Sequence, residues 1–163
     1  MSRIPRFASI ASIVAGVILI IAGMVTWAVV QRELEDEKIT VSADADAFAG
    51  DPVDGPLTAY SEAMTIKKHA LDASGGQTYA QLEQGDPTRE TVMTASFLRA
   101  SLFTSVVAFG VAALVMGLGV LFIIVGVGLL GLDRNIAKAL APATEPTEPV
   151  PAPSGASPAP TPA

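Results

Sequence analysis

The sequence predicts an all-α membrane protein: two transmembrane helices in a hairpin, a mostly helical acidic insert and a disordered Pro/Ala-rich C-terminal tail. Three observations lead there. Phe7 to Val30 is a run of 24 uncharged residues, and Ala100 to Leu132 is a second run of 33. A membrane-spanning helix takes roughly 20 apolar residues, and a soluble core helix rarely needs more. Between the runs, Gln31 to Arg99 carries 13 acidic and 6 basic residues and few large apolar ones. A module of that size is marginal without a staple. No cysteine is present to supply one, which excludes disulfides, thiolate metal sites and cysteine-linked lipid anchors.

The chain accordingly divides into a cytoplasmic N-terminus (1–6), a first span (7–30), an acidic extracytoplasmic segment (31–99), a second span (100–132) and a cytoplasmic Pro-rich tail (133–163). The first run is too long for the apolar part of a secretory signal, about 7 to 15 residues, and is read as a retained span. Lys/Arg counts near the spans tie. A long connecting segment tends to cross regardless of its charge, and the first helix usually dominates. Both arguments put the two termini in the cytoplasm of a multi-pass plasma-membrane protein.

Small residues recur every seven positions in the first span: Ala8, Ala15 and Ala22, with Ser9, Gly16 and Gly23 beside them. Ser12 and Thr26 join this stripe, and Val14, Val17, Ile18 and Ile21 form the bulky opposite face. In lipid, helices associate where small residues let backbones approach. Trp27 lies near the far end, where an indole prefers the headgroup level. In the second span Ser105, Ala112, Gly119 and Gly126 repeat the spacing, and Gly110, Gly117 and Gly131 form another line nearly opposite. The predicted packing residues are Ala15, Gly16, Ala22, Gly23, Ala112, Gly119 and Gly126. At about 1.5 Å per residue, 33 residues exceed a hydrocarbon core of about 30 Å. Asp86-Pro87 reads as a helix start, so one continuous helix is expected from about Pro87 to beyond Asp133, standing proud of the membrane.

In the connecting segment, Lys38 to Ser42 is a candidate extended piece and Ala43 to Gly55 a loop. A helix is predicted over about 56–73, from Pro56 to the double stop signal Gly75-Gly76. Its wheel sets Leu57, Tyr60, Ala63, Met64 and Leu71 on one face, and Ser61, Glu62, Thr65, Lys68, His69 and Asp72 on the other. Such a helix seeks a surface, so Leu57, Tyr60, Met64 and Leu71 are the predicted external docking face. Thr78 to Leu82 suggests a short turn with Tyr79 and Leu82 inward. From Pro142 onward the tail holds eight of the twelve prolines, a solvated, partly polyproline II composition.

No residue set points to catalysis, and neither a cofactor nor a metal is expected. Asp44, Asp46, Asp51 and Asp54 miss the calcium-loop pattern, because Ala49 replaces the glycine and Gly55 the closing glutamate. His69 is the single histidine, too few for a two-histidine iron triad. Neither run holds an ionisable residue of the kind that marks a transport path.

Three stretches, GPLTAYSEA (Gly55 to Ala63), SGGQTYAQL (Ser74 to Leu82) and DPTRETVMTASFLRASLFTSVVAFGVAAL (Asp86 to Leu114), resemble a family of small two-span actinobacterial membrane proteins. One member type is known as a respiratory supercomplex association factor, an accessory subunit of the cytochrome bcc–aa3 assembly. The resemblance covers roughly Phe7 to Leu132 and excludes the tail. Members often carry the label ring-opening dioxygenase, a chemistry that the single histidine argues against. The resemblance implies a non-catalytic accessory subunit whose partners are lipid and the membrane subunits of a cytochrome bc/cytochrome oxidase supercomplex, not nucleic acid. Haems, copper and menaquinone would belong to those neighbours. The alternatives are a self-associating cell-envelope protein and an acidic docking partner for a basic carrier protein.

Overall fold

A computed structural model describes residues 4–139, with side chains over 6–132. Its helices are α1 (Ile4–Asp36), α2 (Pro56–Ala73) and α3 (Arg89–Ala139), and the described residues contain no strand. The tail from Pro142 lies outside the described residues.

α1 and α3 run antiparallel along most of α1. Gly16 lies opposite Gly119, Gly23 opposite Ala112, and the Ser9 backbone opposite Gly126. Ser12 Oγ donates across the seam to the Phe122 carbonyl at 2.8 Å. Near the connecting segment the small residues give way to large ones, and Trp27 meets Phe109 edge-on with centroids 4.7 Å apart. In the most apolar window of each helix only 11% of residues are buried. A core helix of a soluble protein would be mostly covered, whereas these two expose Val14, Val17, Ile18, Ile21, Leu114, Leu121 and Ile124. The molecule thus has two long apolar helices whose outer faces have no protein partner among the described residues.

Both helices overrun the uncharged runs. α1 continues to Asp36 instead of stopping at Val30. The extra turns carry Leu34 into the core above the seam, and Gln31 Nε2 donates to Glu35 Oε1 one turn on. α3 starts at Arg89 rather than Pro87. Asp86 Oδ1 accepts from the Thr88 amide (2.7 Å) and hydroxyl (2.6 Å), so these residues form the turn that leads into the helix.

The connecting segment builds a small head on top of the hairpin. α2 lies antiparallel to the first turns of α3: Tyr60 meets Phe103 edge-on at 5.8 Å, while Ala70 and Ala73 line a cleft with Pro87 and Thr91. Leu34, Val41, Val53, Ala59, Ala63, Leu102 and Phe109 form the core that joins head to hairpin. The extended piece at Lys38 to Ser42 pairs locally. Val41 N donates to Asp51 O, Val53 N to Ile39 O, and Thr40 bridges Pro52. Leu82 is buried as expected. Tyr79 is not inward: it stays on the surface beneath the Arg89 guanidinium, 4.1 Å from its ring centre.

Candidate functional site

Five of the seven predicted packing residues meet in the α1–α3 seam. Gly16, Gly23, Ala112, Gly119 and Gly126 are buried there. Their closeness is backbone to backbone: a Cβ added to Gly16 would lie 2.5 Å from Gly119 O, and one added to Gly126 would lie 2.8 Å from Ser9 O. The other two correct the sequence reading. Ala15 is half-buried and Ala22 is exposed, because the glycine-bearing line beside them permits the closer approach and takes the seam. Thr26 is exposed too, its hydroxyl donating to Ala22 O. The seam therefore holds the hairpin together, and Gly119 and Gly126 are not free for another protein. On α3 the line of Gly110, Gly117 and Gly131 is the open one, with no atom within 4 Å of an added Cβ.

The predicted docking face has a more specific form. α2 is seated not by Leu57 and Met64 but chiefly by Ala59, Ala63 and Ala70, all buried, with Ile66 packed beside them. Glu62 and Thr65, expected on the solvent face, are buried as well. The Glu62 carboxylate accepts from the Ser42 amide at 2.7 Å and from the Ser42 hydroxyl at 3.0 Å, which satisfies a buried charge with charge-assisted bonds. Leu57 and Tyr60 point outward, 65% and 48% exposed, with Met64 also exposed and Leu71 half-buried beside them. They floor a groove of about 580 Å³ whose opposite wall is the loop Asp44 to Phe48.

That wall is fastened to α2 by named bonds. Ser61 Oγ donates to Ala47 O at 2.7 Å, and Asp44 Oδ2 meets His69 Nε2 at 2.7 Å and Lys68 Nζ at 3.8 Å. The hydrogen bond from His69 above all, helped by the charges of His69 and Lys68, holds the Asp44 carboxyl below its ordinary value of 3.8. His69 is thus a latch on an exposed loop.

Phe48 completes the groove and was not singled out from the sequence. Its backbone sits at φ 60° and its ring is 42% exposed. A bulky residue in the left-handed region is strained, at a cost of about 1–3 kcal/mol, and such strain gathers at working sites. One signal was legible: Phe48 is the lone large side chain in an otherwise small and acidic stretch, Ala43 to Gly50.

Among the described residues, no group of three His, Asp or Glu is gathered as for a metal ion. What the arrangement offers is contact: an apolar groove walled by acids and lysines, joined through a buried core to the hairpin. Comparison with family models, curated proteins and solved structures finds no match.

Proposed function

We propose that this protein is a non-catalytic accessory subunit of a respiratory electron-transport supercomplex of the cytochrome bcc–aa3 type. In this reading α1 and α3 span the plasma membrane, the head lies outside, and both termini face the cytoplasm. The observation that carries it is the groove. The head leaves four large apolar residues, Leu57, Tyr60, Met64 and Phe48, exposed along one groove. A free-standing head of this size has reason to bury them instead, since each large apolar side chain stabilises by about 1.5–3 kcal/mol when fully covered. The resemblance of Gly55 to Ala63, Ser74 to Leu82 and Asp86 to Leu114 supplies the kind of neighbour: membrane subunits that carry the haems and copper themselves.

The test is purification through a C-terminal tag in mild detergent, followed by a reduced-minus-oxidised spectrum and identification of the co-purifying proteins. Stoichiometric b-, c- and a-type haem bands with oxidase subunits are the expected result. A colourless preparation, with the tag accessible and the complex intact in the starting membranes, contradicts the proposal. The open line of Gly110, Gly117 and Gly131 favours a second reading, self-association in the cell envelope. Cross-linking of the chain only to itself in membranes would support that one.

A further inference from the structure

We infer that Arg99 is a binding site for the phosphate of a phospholipid at the head side of the membrane, an inference that rests on the membrane placement proposed above. Arg99 is the last charge before the 33-residue run. It is partly buried, its Nε is sealed from solvent without a hydrogen-bond partner, and the donors left open to a ligand are its two terminal nitrogens. A guanidinium losing part of its hydration requires acceptors or a counter-charge. The segment around it holds 13 acidic residues. Yet the ion pairs among the described residues are Lys68–Asp44 and His69–Asp44, and neither includes Arg99. Arg89 is the instructive contrast. It donates to Leu82 O and Tyr79 O and covers the Tyr79 ring, so its own chain satisfies it.

Position narrows the missing acceptor. Helical side chains lean toward the helix N-terminus, which for α3 points away from the apolar run. The Phe103 side chain, one turn further along, leans back in this way and meets Arg99, whose Cζ lies 5.8 Å from the ring centre. Trp27 faces Phe109, and counting outward along both helices sets Phe103 level with Glu33, just past Arg32, where the uncharged stretch of α1 ends. A bilayer's headgroup layer extends about 5 to 7 Å beyond the hydrocarbon on each side. The guanidinium falls in that layer beside the Phe103 ring, which Tyr60, a residue type that prefers it, meets edge-on. A planar fork of N–H donors suits a phosphodiester, and lipid is the phosphate source at this depth.

The test uses the full chain in maltoside detergent, titrated with phosphatidylglycerol while native mass spectrometry counts bound lipid. One lipid is expected to bind more tightly than the rest. Arg99→Gln should weaken that first binding by about tenfold, the scale of one charge-assisted contact. Arg99→Lys should retain part of the affinity, and Arg32→Gln, at an exposed cation of similar depth, should retain all of it. Diacylglycerol, which has the tails without the phosphate, should not fill the site. Equal affinity in Arg99→Gln of unchanged helix content, or equally tight diacylglycerol binding, overturns the inference. Displacement by millimolar inorganic phosphate would mark a free-anion site and overturn it too. So would a co-purifying polypeptide lost from Arg99→Gln at unchanged lipid affinity, since the acceptor would then be a protein carboxylate. Lipid binding that ignores Arg99 leaves the membrane reading standing. A chain that binds no lipid and stays soluble without detergent removes both.

Discussion

At Gly16 and Gly119 the two long helices approach more closely than a methyl group allows. A Cβ on Gly119 would lie 2.6 Å from Gly16 O and 2.7 Å from the Ile20 side chain. The backbone cannot swing aside as a flexible side chain would. Gly119→Ala is therefore expected to destabilise the hairpin by about 1–3 kcal/mol, the range for overpacked sites. Gly117→Ala, two residues away with open space around it, should cause no loss. Unfolding of both variants in mixed micelles checks the contrast, and equal behaviour would contradict the seam. The sequence showed the seven-residue repeat but not which of two adjacent lines would be used. Ala15 and Gly16 stand only 100° apart on the helix, so both lines satisfy the same spacing. Backbone approach decided for the glycines.

α2 illustrates how an element's orientation escapes a helical wheel. The wheel grouped Ala63 with Leu57, Tyr60, Met64 and Leu71 and put Glu62 outside. The structure seats α2 on Ala59, Ala63 and Ala70, because small side chains let it lie close to α3, and that rotates Glu62 inward. Glu62→Ala should cost about 1–3 kcal/mol, since the Ser42 amide and hydroxyl lose their carboxylate acceptor. Faster hydrogen exchange at the Ser42 amide is the local readout. The Asp44 latch makes a pH prediction at the same scale. Its carboxyl titrates below the ordinary 3.8 when folded. The stability it lends is present above that value and is lost as pH falls through the lower, folded one. In His69→Gln the Asp44 midpoint, followed by carboxyl NMR, should rise toward 3.8. A midpoint that stays put would detach His69 from the latch.

For the whole molecule, the hairpin and the span of α2 were legible, and the packing of the head was not. Two long uncharged runs announce two long helices whatever surrounds them. The head depends on contacts distant in sequence, such as Ser42 with Glu62 and Tyr60 with Phe103, and no local pattern encodes those pairings. The groove likewise forms only when the loop at Phe48 is folded back on α2. Because Leu57 and Met64 are exposed, Leu57→Ser with Met64→Ser should leave stability within about 0.5 kcal/mol of the parent. The same double change should strip co-purifying subunits from the tagged chain. Unaltered subunit ratios would argue that the groove is not the docking surface.

The repeat that makes the seam also makes it ambiguous. Ser9, Gly16 and Gly23 meet Gly126, Gly119 and Ala112. Sliding one helix by seven residues would set Gly16 on Ala112 and Ser9 on Gly119, again small against small. Seen alone, the seam is a ruler with identical marks. The non-repeating contacts, the Trp27–Phe109 ring pair and the core cluster that holds Leu34, remove the degeneracy. The head therefore indexes the hairpin: it selects one of several nearly equivalent alignments and so fixes how far the end of each helix projects past the other.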